Sequence, residues 1–244
     1  MSVPEEMFDE DYLYFYRDVL GDERSDADAR TVLELLSLEP GMRVLDVPCG
    51  EGRLAGRLAG RGCDVVGVDS SELFLGLARE RYPAVRFVRG DMRELAYDRE
   101  FDVVVNWFTS FGYFDRAAND RVLDRFARAL RPGGRLLLEL LNPAWLARLL
   151  ELTGGRSASV VERDGDLMVD RVTYNPADAR SHTERFIVRN RHVRKLEFSL
   201  EQVAAPELKQ RLHAAGFDRV ELFGHGGAPF DPEGRRLIAV AHRS

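Results

Sequence analysis

Asp46, Asp69 and Asp91 each follow a short apolar run, and each has neighbours that leave room for a ligand. The first run is Val44, Leu45 and Val47. Pro48, Cys49, Gly50, Glu51 and Gly52 come next, and Leu54, Ala55, Leu58 and Ala59 then recur at helical spacing, so the stretch reads as strand, glycine turn, helix. Gly50 and Gly52 let the backbone bend sharply and let a ligand approach the peptide plane. Asp46 falls at the carboxyl end of the strand, where open α/β sheets take their ligands. A second run, Cys63 to Val68, ends in Asp69. Its separation from Gly52 is close to the ~20 residues expected between a glycine turn and a ribose-binding acid. A carboxylate there accepts both ribose hydroxyl protons. The third run, Val85, Phe87 and Val88, leads into Gly90-Asp91-Met92. Here Asp91 through its carboxylate, and Met92 through its backbone N–H and apolar side chain, suit an adenine.

Three readings of the glycine turn compete. Gly50, Gly52 and Ala55 fit G-x-G-x-x-[GA], a dinucleotide fingerprint. Against it, Asp46 would repel a pyrophosphate and attract a ligand carrying an amino group. A βα turn with no ligand is the third.

The elements that position these residues follow from the same patterns. Met7 to Leu20 is dense in acids and aromatics (Phe8, Tyr12, Tyr14, Phe15, Tyr16), and is expected to pack as a helix across the mouth of the site. Ser25 and Asp28 form a capping box before a helix with Val32, Leu33, Leu35 and Leu36. Ser70 or Ser71 caps the helix after Asp69. Phe101 to Trp107 is a fourth buried strand. The run Asn106 to Phe114 after it mixes aromatics with Asn, Thr, Ser and Gly, and reads as a pocket-lining loop. A helix with Val122, Leu123, Phe126 and Leu130 stops at Arg131-Pro132-Gly133-Gly134, and Arg135 to Leu141 is a fifth strand containing Glu139. Repeated βα units imply a parallel, doubly wound sheet.

The strings D-V-P-C-G-E-G, V-V-G-V-D, R-G-D-M, F-D-V-V-V-N and L-R-P-G-G-R-L-L-L stand in the order and spacing of class I S-adenosylmethionine-dependent methyltransferases, which the chain resembles. Pro48 stands where many members have the first glycine of motif I. The loop W-F-T-S-F-G-Y-F looks like the bacterial branch that acts on small molecules. The resemblance implies a Rossmann-like, seven-stranded sheet with one antiparallel strand. It implies S-adenosylmethionine as methyl donor, with S-adenosylhomocysteine as product. Alignment of the amino-terminal segment places Tyr16, and less directly Arg24, near the methionine carboxylate. The donor-binding residues it implies are Tyr16, Arg24, Asp46, Pro48, Cys49, Gly50, Gly52, Asp69, Ser70, Asp91, Met92, Asn106 and Phe108. Asn106-Trp107-Phe108-Thr109 lacks the N-P-P-Y pattern of enzymes that methylate base amines or the glutamine amide.

After Asn142-Pro143 a short helix is followed by period-two alternation. Ser159 to Arg163, Leu167 to Tyr174, Ser181 to Val188 and Val193 to Leu200 read as four antiparallel strands, with turns at Asp164-Gly165, Asn175-Pro176 and Arg189-Asn190. The organisation expected is a donor-binding domain of residues 1–142 and 203–244, with 1–40 as helices over the site, and a lid of residues 143–202. The acceptor is expected between Trp107, Phe108 and Tyr113 and the lid, with His182, Glu184 and Phe186 on the inward face. The same lid is a candidate homodimer interface.

Methyl transfer is an in-line displacement from a donor already activated by its charge, so positioning can suffice. The candidates for a general base are His182, His192, Tyr113, Glu139, Tyr174 and His225. No His, Asp or Glu grouping has metal-ligand spacing. Rivals to methyl transfer are a nicotinamide-dependent oxidoreductase and a binding module that keeps the donor pocket without catalysis.

Composition fits a globular chain: 45% hydrophobic and 31% charged residues over 244 positions. A net charge of -6 without a basic cluster argues against nucleic acid as partner. Two cysteines, Cys49 and Cys63, are too few for a disulfide framework and suit a cytoplasmic setting. No leader and no bilayer-length apolar run is apparent.

Overall fold

The computed structural model describes residues 7–244. Its centre is β1 (Arg43–Asp46), flanked by β2 (Asp64–Asp69) and β4 (Phe101–Asn106); β3 (Arg86–Arg89) and β5 (Leu130–Leu141) lie beyond them. The last two strands, β10 (Arg219–Phe223) and β11 (Arg236–His242), complete a seven-stranded sheet ordered β10-β11-β5-β4-β1-β2-β3. β11 alone runs antiparallel to its neighbours β5 and β10.

Both faces of this sheet are covered, which is why its strands read as unbroken apolar runs. Leu45 and Val104 face one core with Phe126, Leu208 and Leu212; Val44, Val103 and Val105 face the other with Val32, Leu58 and Leu75. The first core lies under α5 (Arg116–Ala129) and α7 (Ala205–Ala214), the second under α2 (Asp22–Leu35), α3 (Arg53–Ala59) and α4 (Glu72–Arg81). Ser71 caps α4 and Asp115 caps α5, each accepting a backbone N–H.

Two boundaries differ from the sequence reading. α2 starts at Asp22 with Gly21 as its cap, one turn before the Ser25–Asp28 box. Asp22 and Glu23 sit in the first turn, where acids suit the helix dipole. Ser25 instead bonds the Leu20 carbonyl, and Asp28 is held by Arg24 and Arg53. β5 begins at Leu130, so Pro132, Gly133 and Gly134 lie within its irregular first half, where the register against β4 shifts.

Beyond β5, α6 (Pro143–Leu152) leads to a separate four-stranded meander: β6 (Ser157–Arg163), β7 (Asp166–Asn175), β8 (Arg180–Arg189) and β9 (His192–Glu201). Two tight turns use left-handed pairs: Asp164 and Gly165 (φ 51° and 84°), and Asn190 and Arg191 (φ 52° and 64°). The inward face of β8 is Ser181, Thr183, Arg185 and Ile187, all buried; His182 is exposed. This reverses the face expected from Phe186. That ring lies on the outer face, covered by Arg171 at 5.0 Å and Lys195 at 5.7 Å. Arg185 can turn inward because Asp170 grips it twice, at 2.7 and 2.8 Å. The amino-terminal helix α1 (Glu10–Tyr16) joins this sheet: Phe15 packs with Met168, Ile187 and Leu196 in one small core.

Candidate functional site

A cavity of about 680 Å³ opens at the carboxyl ends of β1 and β2, between them, α1 and the loop after β4. Its floor is the glycine turn. The Gly50 N–H donates to Asp69 Oδ2 at 2.8 Å, and the Ser71 N–H to Asp69 Oδ1 at 2.9 Å. Asp69 thus ties the turn to the end of β2. Its burial raises the carboxyl pKa, and the surrounding amides partly offset this. A Cβ on Gly50 (φ 54°) would meet only Phe74, at 3.9 Å, so that glycine leaves its surface open to the cavity. Gly52 serves packing instead: a Cβ there would stand 2.7 Å from the Phe87 ring.

Asp46 lines the cavity, is 2% exposed, and its Oδ2 has no hydrogen-bond partner among the described residues. Burial pushes its pKa up to about 7 despite nearby Arg53. Such a carboxylate lacks one thing, a cationic or N–H donor from the cavity side. Arg53, at the start of α3, also lines the cavity; it bonds Asp28 at 2.7 Å and stacks 5.2 Å from the Phe108 ring. On the far wall, Arg93 grips both oxygens of Asp91. Burial works against that charge, but the Arg93 bonds outweigh it and leave the Asp91 pKa below the ordinary carboxylate range.

The opposite wall is aromatic. Phe8 meets Tyr12 at 5.3 Å, Tyr113 at 6.0 Å and Phe74 at 6.3 Å, all edge to face. Burial raises the pKa of both Tyr12 and Tyr113, so their hydroxyls stay neutral near pH 7. Both line the cavity.

Of the residues singled out from the sequence, Asp46, Pro48, Cys49, Gly50, Asp69, Ser70, Asp91, Met92, Phe108 and Tyr113 line this cavity. Tyr16, Arg24, Gly52 and Asn106 do not. The Tyr16 ring stacks on Tyr12 at 4.4 Å and its hydroxyl accepts from Arg185 at 3.1 Å, whereas Tyr12 itself lines the cavity. Arg24 is spent on Asp28, and Asn106 is buried with its amide on the Val47 carbonyl at 2.8 Å. His182, His192, Tyr174 and His225 lie outside the lining: the histidines are exposed, His182 faces Asp178 on the outer side of the lid, and Tyr174 is near the strand end. Glu139 is buried behind the pocket loop, bound to Arg236 and the Thr109 amide. Arg53 escaped the sequence reading. An arginine in a helix's first turn opposes the dipole, and that cost was the available signal.

Residues 44–134 match a family model described as a methyltransferase domain. The chain is 37% identical over 118 residues to a demethylmenaquinone methyltransferase of Beutenbergia cavernae, which covers 48% of each chain. It is 36% identical over 123 residues to dTDP-3-amino-3,4,6-trideoxy-alpha-D-glucopyranose N,N-dimethyltransferase of Streptomyces venezuelae, covering 50% of each. It thus spans about half the length of the curated relatives it matches. The CcbJ methyltransferase of Streptomyces caelestis has the same fold (TM-score 0.81, 24% identity, 99% of each chain). DesVI of Streptomyces venezuelae is 26% identical over 100% of each chain, with a TM-score of 0.68. No helix among the described residues is long and apolar enough to cross a membrane.

Proposed function

We propose that this chain, whose residues 44–134 belong to the methyltransferase domain family, transfers the methyl group of S-adenosylmethionine to a nucleophile on a small-molecule acceptor. The observation that carries the reading is the unpartnered, buried Asp46 oxygen beside the open surface of Gly50. These residues fit the donor. Asp46 would hold its ammonium group and Asp69, with lone pairs left over from its two amides, its ribose hydroxyls. Met92 and the Arg93-braced Asp91 would hold its adenine. When bound, S-adenosylmethionine supplies a methyl group on a positively charged sulfur.

The chain's own contribution to the chemistry is alignment and exclusion of water. Phe8 and Phe74 dry one wall. Tyr12 and Tyr113 offer neutral hydroxyls, which orient an acceptor N–H or O–H without removing its proton. A nucleophile that needs no strong base suits such a wall, and an amine taken up as its free base is one. A relative named as a sugar N,N-dimethyltransferase supports that choice. We assign the lid to residues 143–202 and add α1 to it, because the two share a core. We read the lid as a cover over the acceptor, with self-association through it as the competing role.

Titration calorimetry with S-adenosylmethionine, S-adenosylhomocysteine and NAD tests the donor: micromolar binding of the first two is expected, and preferential NAD binding overturns the reading. Mass spectrometry of a panel of amines and amino sugars incubated with S-adenosylmethionine then tests transfer. Tyr113→Phe should slow that transfer while S-adenosylhomocysteine affinity holds. Equal turnover would remove the hydroxyl from the acceptor's side of the site.

A further inference from the structure

Phe108 and Thr109 lie just past β4, after Trp107, and both have left-handed backbones, φ 62° and 56°. Neither residue type favours that region, and a β-branched threonine resists it. Such a pair persists only where its surroundings over-determine it. The surroundings here are specific. Glu139 on β5 accepts the Thr109 N–H through Oε2 at 3.1 Å, and its Oε1 faces Arg236 Nε at 3.1 Å. Arg236, at the start of β11, donates from Nη1 to Thr109 Oγ1 at 2.7 Å. Three groups from two adjacent strands and the loop thus close one ring, with Glu139 buried and Thr109 and Arg236 partly so. Glu139 is 2% exposed, and no part of it reaches the cavity lining. On its other side the Phe108 ring lies under Arg53, itself fixed by Asp28. Ser110 closes the segment by bonding the Trp107 carbonyl at 2.8 Å.

A buried ion pair is a costly way to fill space, and apolar side chains would fill it with less desolvation. They would also leave the Thr109 amide without its acceptor. We propose that Glu139 and Arg236 are positioning residues: they hold Phe108 and Thr109 in the left-handed conformation and thereby fix the Phe108 ring in the cavity wall beside the glycine turn. Glu139, one of the general-base candidates from the sequence, then works through the loop and never touches a reactant. The inference deepens the methyl-transfer reading by assigning what aims the pocket loop, and it can be tested without knowing the acceptor.

The test is hydrogen exchange across residues 107–113, with the amides of β1 and β4 as an internal measure of global stability. Glu139→Gln keeps the side-chain volume, and Arg236→Lys keeps the charge but loses the fork to Thr109. Each should raise exchange in the loop about tenfold while the strand amides stay unchanged, because the loop loses a restraint on a disfavoured backbone. Adding Thr109→Asn to Glu139→Gln should recover most of the protection, since asparagine enters the left-handed region far more readily than threonine. Near-ultraviolet circular dichroism, sensitive to Trp107 and Phe108, should change and recover in parallel. Unchanged loop exchange in both single variants, a rise shared equally by the strands, or no recovery with asparagine would each overturn the proposal. Calorimetry with S-adenosylhomocysteine on the native protein reports separately on the donor. If that ligand fails to bind, the functional reading falls, while the exchange result still decides the clamp.

Discussion

The two sheets of this molecule solve the same packing problem with different materials. The seven-stranded sheet buries valine and leucine on both faces, and these fill the middle of its central strands. Among the described residues, the buried apolar core of the lid sheet is Met168, Ile187, Leu196 and the borrowed Phe15. Charge does the rest: Arg185 to Asp170 inside, and Arg189, Arg194 and Arg163 to Asp11, Asp9 and Asp18 along the seam with α1. Apolar burial does not titrate and is not weakened by charge screening, whereas ion pairs respond to both pH and salt. The half that would grip the donor is therefore the stiffer one, and the half that would cover the acceptor is the one solution conditions can loosen.

The strongest way to break that contrast is Asp170→Ala. It leaves Arg185 buried without its carboxylate, with only the Tyr16 hydroxyl to accept from it, which costs about 3–5 kcal/mol. Hydrogen exchange should show the lid and α1 opening while the large sheet stays protected. Uniform exposure of both sheets would mean that they form a single cooperative unit.

Asp46 offers the matching probe of the large sheet. Its folded pKa, about 7, lies above the ordinary carboxylate value. The folded state therefore keeps a proton that the unfolded chain has lost, and this contribution to stability is full below about pH 4 and gone above about pH 7. Asp46→Asn removes the titration. Urea denaturation should find the variant more stable than the parent by on the order of 2–4 kcal/mol at pH 8, and the two equal at pH 4. Its affinity for S-adenosylhomocysteine should nevertheless drop. In the parent protein, calorimetry below pH 7 in buffers of different ionisation enthalpy should show proton release on binding. Binding without proton exchange would separate Asp46 from the ligand's ammonium group.

A smaller effect is expected from Arg194→Ala. That guanidinium bridges Asp9 and Asp11 but is partly solvated, so its loss should cost about 0.2–1 kcal/mol. Exchange in α1 should quicken slightly, and raising the salt concentration on the parent protein should mimic the substitution. An α1 equally protected at low and high salt would give the seam to Phe15 alone.

The sequence disclosed the first five strands of the large sheet, because two buried faces impose a pattern that propensity and turn residues both mark. That Asp46, Gly50, Asp69, Asp91 and Met92 line one cavity was legible for the same reason, since they are tied to strand ends. The lid strands were equally legible, but their orientation was not. Phe186 looked internal, yet cations cover it on the outer face; Arg185 looked external, yet Asp170 neutralises it inside. Alternation reports which residues share a face and is silent on which face is inward once ion pairs replace hydrocarbon. The same silence set His182 on the inward face of β8. The links from Glu139 to Thr109 and Arg236 span 30 and 97 positions, beyond any local pattern.

The seam between α1 and the lid also bears on the order in which the molecule is made. Asp9 and its partner Arg194 are 185 residues apart. During synthesis α1 emerges before the rest of this fold and then waits for the lid strands before its core exists, while β1 to β5 can associate as they appear. The lid hairpins, two of them with two-residue turns and all with nearest-neighbour pairing, need little search once translated. The final strand, β11, inserts between β5 and β10 and brings Arg236 to Thr109 only then. The earliest helix and the last strand are thus the late arrivals, and a nascent chain halted before residue 236 would carry its glycine turn without a finished pocket wall.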